Sequence, residues 1–287
     1  MKIGIGLPNP VPGTSGQTLV DWAKRAEERG FRALATIDRF AYPSYDALTT
    51  LSAAGAVTST IGLTTNILLA PAYPPVLLAK TSASVDQISG GRLTLGLAPG
   101  GREDDFVIAG QDFHTRGRAF DAELELLHQA WRGEPVAGSP KAVCPTPVND
   151  SRVPILFGGT TDKALERMVK WGVGWTAGGA GPEQAAAFAE RVRTVWKDAG
   201  RAGEPRIAAL VYYSVGDDAE PASQAYLRDY YGFLGGYVDM IANGALRSPE
   251  AIRGAVTAFA DGGITELYLD PTVASLDQID RLADLVL

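Results

Sequence analysis

Eight times along the 287 residues, a short run of apolar and β-branched side chains gives way to a longer run whose apolar residues recur at helical spacing. The first run is KIGIGL; Leu19, Trp22, Ala23 and Ala26 then repeat with a helical period up to Gly30, a residue suited to ending a helix. ALATI (33–37) precedes a helix from about Tyr45, and GLTTNILLA (62–70) precedes one opening at Pro74 or Pro75, where proline is tolerated. RLTLGLA (92–98) is a fourth strand, followed by a long polar loop and then by Phe120, Leu124, Leu127 and Trp131 on one helix face. VPILF, GVGWTA and RIAALVYYSV supply strands five to seven, with helices from about Thr160 and Pro182 between them. ELYLD is the last strand, after a helical region that includes a start signal at Ser248, Pro249 and Glu250. Leu276, Ile279, Leu282 and Val286 finish the chain as a helix, and the Pro- and Gly-rich residues 133–152 carry no regular element.

Strands buried on both faces read as continuous apolar runs, and eight strand–helix units in a chain of this size specify an α/β fold, a (β/α)8 TIM barrel with loop insertions, as one domain over 1–287. A doubly wound sheet would need a GxGxxG turn after the first strand. The sequence there is GLPNPVPGTSG, with prolines where a phosphate turn needs amide donors.

Charge and cysteine usage narrow the partners. A formal net charge of −7 and the lack of any Lys/Arg run argue against nucleic acid and point to a small-molecule substrate. Cys144 is the only cysteine, which removes disulfide frameworks and cysteine metal clusters and fits a reducing compartment. MKIGIGLPNP reaches Pro8 before any signal-like apolar region, and no run of 18 apolar residues follows. A cytoplasmic protein without membrane contact or metal is expected.

In a barrel of this kind the chemistry sits at the C-terminal strand ends. Strand two ends in Asp38, Arg39, Phe40 and Tyr42, strand three holds Asn66, and strand four leads into PGGREDDF with Arg102, Glu103 and Asp104. Strand seven ends in Tyr212 and Tyr213, of which only one can face the barrel interior, and strand eight ends in Asp270. Strands five and six end in GGTT (158–161) and TAGGAG (176–181). Glycines let backbone amides approach an anion, threonines add donors, and a following helix N-terminus adds its free N–H groups. The same residues also suit a bare strand–helix turn with Thr160 or Thr161 as N-cap.

These residues resemble the bacterial luciferase-like flavin and deazaflavin oxidoreductases over nearly the whole chain. The most specific stretch is 77–136, with Ser89-Gly90-Gly91-Arg92 before strand four, Arg116-Gly117-Arg118 before the next helix and Trp131 closing it; PILFGGTTDKALERMVKWGVGW and GGITELYLDP are also similar to family segments. The resemblance implies FMN or the deazaflavin coenzyme F420 at the C-terminal barrel face. It implies that Gly158, Gly159, Thr160 and Thr161, with Thr176, Gly178 and Gly179, hold the cofactor phosphate. It further implies a bulge with a non-prolyl cis peptide at Asn66–Ile67 or Ile67–Leu68 under the ring, Asp38 near the ring's pyrimidine edge, and Gly100, Gly101 and Asp104 on its other side. Several deazaflavin members place a histidine after the strand-two aspartate, but this chain has Arg39, which stays protonated and suits an oxyanion or an acidic substrate better than proton shuttling. The acid/base candidates are therefore Asp38, Glu103 and His114, while Asp105 reads as a solvated loop carboxylate and His128 as structural. Tyr212, Tyr213, Tyr230 and Tyr231 are candidates to wall the substrate pocket.

F420-dependent hydride transfer is the function expected. The alternatives are an FMN-dependent monooxygenase served by a separate flavin reductase and a cofactor-binding barrel without turnover. Basic residues beside a long cleft, such as Lys163, Lys141 or Arg102, would mark a polyanionic F420 tail. The resemblance also implies a homodimer formed through helices two and three.

Overall fold

The strands pair in chain order and then back to the first. Among the described residues, β1 (Lys2–Gly6), β2 (Ala33–Thr36), β3 (Gly62–Leu69), β4 (Leu93–Ala98), β5 (Ile155–Gly158), β6 (Gly174–Thr176), β7 (Arg206–Tyr213) and β8 (Glu266–Pro271) form a closed, parallel barrel. Ile3 opposite Leu267 and Ile5 opposite Leu269 close the sheet, which leaves no free edge. This computed structural model describes residues 1–216 and 219–287; Asp217 and Asp218, within the 214–247 stretch, lie outside the described residues.

The helices form where the sequence supplies a cap and an apolar stripe. They are α1 (Gly16–Glu28), α2 (Ala47–Val57), α3 (Pro75–Ser89), α4 (Glu103–Ala109), α5 (Arg116–Trp131) and α6 (Asp162–Trp171), followed by α7 (Pro182–Asp198), α8 (Ala219–Tyr230), α9 (Tyr237–Gly244), α10 (Pro249–Asp261) and α11 (Asp277–Val286). Ser15 caps α1 by accepting from the Thr18 N–H, and the expected stripe of Leu19, Trp22, Ala23 and Ala26 is buried against the barrel. Ser248 caps α10 in the same way through the Ala251 N–H. Trp22, Trp131, Phe157, Trp175 and Phe259 are among the largest fully buried side chains of the core.

The Ser89-Gly90-Gly91-Arg92 motif works at the barrel's N-terminal end. Gly90 and Gly91 both take positive φ, which carries the chain from α3 into β4. The Arg92 guanidinium then donates to the carbonyls of Gly55, Thr58, Ile61 and Ser89 and to the Thr58 hydroxyl, satisfying backbone groups at a helix end and a strand start. This part of the 77–136 stretch thus works as a structural staple at the barrel's N-terminal end.

One stretch differs from the sequence reading. The 99–118 loop contains α4, which opens with three acidic residues complementing its dipole and ends at Gly110 with φ of 69°. The 214–247 stretch carries α8 and α9 over the C-terminal face. Residues 133–152 hold no helix or strand. Among the described residues, no helix is long and apolar enough to cross a membrane, and no cluster of His, Cys, Asp and Glu could hold a metal.

Candidate active site

β3 breaks register with β4 between Thr65 and Leu68, and the Asn66–Ile67 peptide is cis, at the first of the two positions that the resemblance implies. Two glycines on neighbouring strands make room for this bulge. A Cβ at Gly96 would overlap the Thr65 carbonyl oxygen, and one at Gly158 would overlap Ile67 Cδ1. The Thr65 hydroxyl takes over the broken ladder, donating to the Gly96 carbonyl and accepting from the Gly96 N–H, both at 2.9 Å.

The bulge presents the Asn66 amide in one orientation. Thr176 Oγ1 accepts from the Gly178 N–H at 3.3 Å and donates to Asn66 Oδ1 at 2.9 Å. Asn66 Nδ2 is therefore turned away from Thr176, and it is buried without a protein partner. A buried donor left unpaired costs about 1–3 kcal/mol, so this atom calls for an acceptor from a ligand.

Asp38 lies on the same wall and is 5% exposed. Its Oδ2 accepts from the Leu69 N–H at 3.1 Å and its Oδ1 from the Tyr73 hydroxyl at 2.9 Å. Burial pushes the carboxyl up to about 7 against the opposing pull of those two donors, and the nearby Asp46 and Asp105 carboxylates add to the rise. A carboxyl so placed gains or loses a proton near neutral pH, as a general acid or base requires. Tyr73 sits just after a 3-10 turn that follows β3, beyond the strand-end residues that the sequence singled out.

Arg39 points at α4. Its Nε donates to Asp105 Oδ1 at 3.0 Å, and one Nη donates to Asp104 Oδ2 at 3.1 Å and to the Ala41 carbonyl at 3.3 Å. Asp105 Oδ1 also accepts from the backbone N–H of Phe40 at 2.8 Å and of Ala41 at 2.7 Å. Asp105 is completely buried, which corrects the reading of it as a solvated loop carboxylate: it ties the loop after β2 to α4. The guanidinium also lies over the rings of Tyr42 and Tyr230. Arg39 is largely committed to this cluster.

These elements enclose a cavity of about 190 Å³ that brings together Asp38, Arg39, Asn66, Ile67, Gly101, Gly178 and Gly179 of the expected site. Tyr212, Tyr230 and Tyr231 supply its aromatic wall, with the Tyr212 and Tyr231 hydroxyls 2.7 Å apart. Tyr213 points the other way, fully buried, and donates to the Gln278 carbonyl. Strand alternation thus selects Tyr212. Leu68, Gly100, Asp104 and Thr176 do not line the cavity: Leu68 and Thr176 are buried, Asp104 is exposed and pairs with Arg39, and Arg116 donates to the Gly100 carbonyl at 3.0 Å.

Glu103 and His114 do not reach the cavity. Their side chains are 62% and 79% exposed and face each other across 3.9 Å on the surface. Gly158 is buried under the bulge, while Gly159, with φ of 99°, Thr160 and Thr161 remain exposed at the N-terminus of α6. Thr161 is the N-cap, accepting from the Ala164 N–H, so the capping role is present in the turn. Lys163 pairs with Glu166, Arg102 donates to the Tyr230 carbonyl and lies over the Phe233 ring, and Lys141 is exposed in the 133–152 stretch. His128 is buried and stacks on Trp171 with ring centres 4.4 Å apart; burial pushes it down to about 4.

Comparison with known proteins agrees with this architecture. The chain is 27% identical over 207 residues to an uncharacterized protein of Mycobacterium tuberculosis, covering 62% of this chain and 71% of the relative. It is 31% identical over 176 residues to a second one from the same organism, covering 58% and 61% respectively. Among solved structures it superposes on an F420-dependent secondary alcohol dehydrogenase with a TM-score of 0.80, at 19% identity, covering 99% of this chain and 98% of that one. It superposes equally on the monooxygenase RslO1 from Streptomyces bottropensis, with a TM-score of 0.79, at 22% identity, covering 99% and 97%. At these identities the likeness is one of fold. The family model for luciferase-like monooxygenases matches residues 1–283, and the chain, an eight-stranded barrel with its bulge and the cavity that holds Asp38, belongs to that family.

Proposed function

We propose that the protein is an F420-dependent oxidoreductase that transfers hydride to or from a small organic substrate. The observation that carries this reading is the buried Asp38 carboxyl, gripped at both oxygens and lining the same cavity as the unpaired Asn66 amide donor. The residues fit a flat heterocycle: Asn66 Nδ2 needs an acceptor, and a Cβ at Gly101, Gly178 or Gly179 would meet nothing within 4 Å, leaving room for a ring to approach the backbone. Bound there, the deazaflavin would supply hydride chemistry at its C5. Asp38 would give or take the proton that must accompany hydride at a carbonyl or alcohol oxygen, and Asn66 would fix the ring's acceptor edge. Arg39 would act by holding the loop after Asp38 against α4. Gly158, Gly159, Thr160 and Thr161, with Thr176, Gly178 and Gly179, belong to this reading as the phosphate-binding side.

Paired titration of the purified protein with F420 and FMN tests the assignment. Saturable binding of F420 in preference to FMN is expected. Tight FMN binding alone would replace it with oxygen chemistry fed by a separate flavin reductase, and F420 binding with no reduction of any acceptor would leave a binding barrel. Assembly as a homodimer through α2 and α3 is part of the same proposal. Val57, Leu77 and Ile88 are exposed apolar residues on those helices, and sedimentation would test it.

A further inference from the structure

Next to the cavity that contains Asp38 and Asn66 lies a larger one of about 780 Å³. Gly179, Leu210, Tyr212 and Tyr231 are walls of both, so the hydrogen-bonded tyrosine pair stands between them. The rest of the larger cavity comes from the β6–α7 loop, the end of β7, α9 and α10, with Pro182, Val211, Ile241, Leu246 and Phe259 on its surface. Its volume falls within the about 300–1,000 Å³ of sites that enclose drug-sized ligands.

The wall chemistry specifies the occupant. Among the described residues, Glu183 is the single charged lining residue, and no lysine or arginine lines the cavity. Gly179 and the N-terminus of α7 form one edge, on the phosphate side of the reading above; beyond that edge the walls from β7, α9 and α10 carry no charged residue, so an anionic tail or a substrate carboxylate there would leave water with no cation to receive it, at a large desolvation cost. An apolar body gains from the same surface. The route in is also apolar: Met240 lines the cavity while 64% exposed, and Tyr237, one turn earlier on α9, is exposed beside it.

We propose that this cavity binds the uncharged, mainly apolar body of the substrate, so that a carbonyl or hydroxyl group at one end reaches past Tyr212 and Tyr231 to Asp38. The substrate class is then a hydrophobic ketone, aldehyde or alcohol rather than a sugar phosphate or an organic acid. The location of the chemistry rests on the functional reading above; the location and polarity of the body do not.

The test uses the neutral dye N-phenyl-1-naphthylamine and its sulfonated relative 1-anilinonaphthalene-8-sulfonate, each titrated into the full-length protein and followed by fluorescence. The neutral dye is expected to bind saturably with blue-shifted emission, and the sulfonate about tenfold more weakly or worse. Ala255→Trp, which fills the cavity, and Met240→Glu, a surface change that places charge at its mouth, should each weaken the neutral dye about tenfold. Ala225→Trp fills a separate apolar cavity of about 430 Å³ between α8 and the segment after β8, and should leave dye binding unchanged. If Ala255→Trp fails to fold, Met240→Glu carries the test alone. Preference for the sulfonate, no saturable binding of the neutral dye, or loss of binding only in Ala225→Trp would overturn the proposal. Titration of F420 into the same proteins separates the two readings: dye binding with no F420 binding removes the cofactor assignment and keeps the cavity, and the converse keeps the cofactor and removes the cavity.

Discussion

Replacing Asp105 with alanine should destabilise the protein more than any other single change at the site. The side chain is fully buried, and one oxygen accepts from the Phe40 N–H, the Ala41 N–H and Arg39 Nε at 2.7–3.0 Å. Alanine leaves two backbone donors and the Nε of a guanidinium whose side chain is 6% exposed without their acceptor, with only the exposed Asp104 carboxylate left to pair the cation. Breaking one side of a buried charge pair costs about 3–5 kcal/mol, and the orphaned amides place this case toward the upper end. Asp105→Asn keeps an oxygen for the two amides and loses the charge facing Arg39, so it should cost about 2 kcal/mol. Arg39→Ala combined with Asp105→Ala should recover part of the loss, because the stranded cation is gone. Urea unfolding followed by tryptophan fluorescence, at a common slope, measures all four proteins. An Asp105→Ala midpoint indistinguishable from wild type would refute the claim that this carboxylate anchors the loop carrying Asp38.

Asp38→Asn should lower turnover by about 10²–10⁴-fold while changing F420 affinity far less, and equal losses in both would make Asp38 a cofactor clamp instead. Because the folded carboxyl titrates at about 7 against an ordinary 3.8, the native state holds this proton more firmly than the unfolded chain. Its contribution to stability is complete at acidic pH and is lost as pH rises through 7, so urea midpoints of wild type relative to Asp38→Asn should fall across that window. Glu123, buried in α5 with neither carboxyl oxygen partnered and pushed by burial to about 9, should tolerate Glu123→Leu with a gain of about 1–3 kcal/mol, read as a higher melting midpoint. Gly158→Val should push Ile67 out of place, cost about 1–3 kcal/mol by overpacking and weaken the cofactor; unaltered binding would detach the bulge from the site.

The barrel was legible because each strand and its helix announce themselves over neighbouring residues: Ser248 caps the helix it precedes, and the Leu19, Trp22, Ala23, Ala26 stripe faces inward. What escaped lies across the chain. α4 is seven residues long and leaves Val107 and Ile108 exposed, so it has no stripe to read. Asp105 looks like a loop carboxylate until α4 turns it toward Phe40 and Ala41, some 65 residues earlier. Tyr73 becomes a partner of Asp38 only through the 3-10 turn after the bulge. Glu103 and His114 were plausible by residue type, but α4 and the 3-10 turn at Phe113–Thr115 leave them facing solvent. Strand alternation, a local rule, correctly limited the interior to one of Tyr212 and Tyr213.

The hydroxyl of Thr176 works as a polarity selector. Anchored by the Gly178 amide, it can only donate to Asn66, and so it dictates that the amide shows its N–H₂ rather than its oxygen to whatever binds. Take away that hydroxyl, as in Thr176→Val, and nothing in its place distinguishes the two ends of the amide, which is then free to rotate by half a turn at little cost in shape. The floor of the site would then accept a hydrogen-bond donor where it now accepts only an acceptor. A single oxygen atom on β6 thereby determines which end of the Asn66 amide faces the cavity.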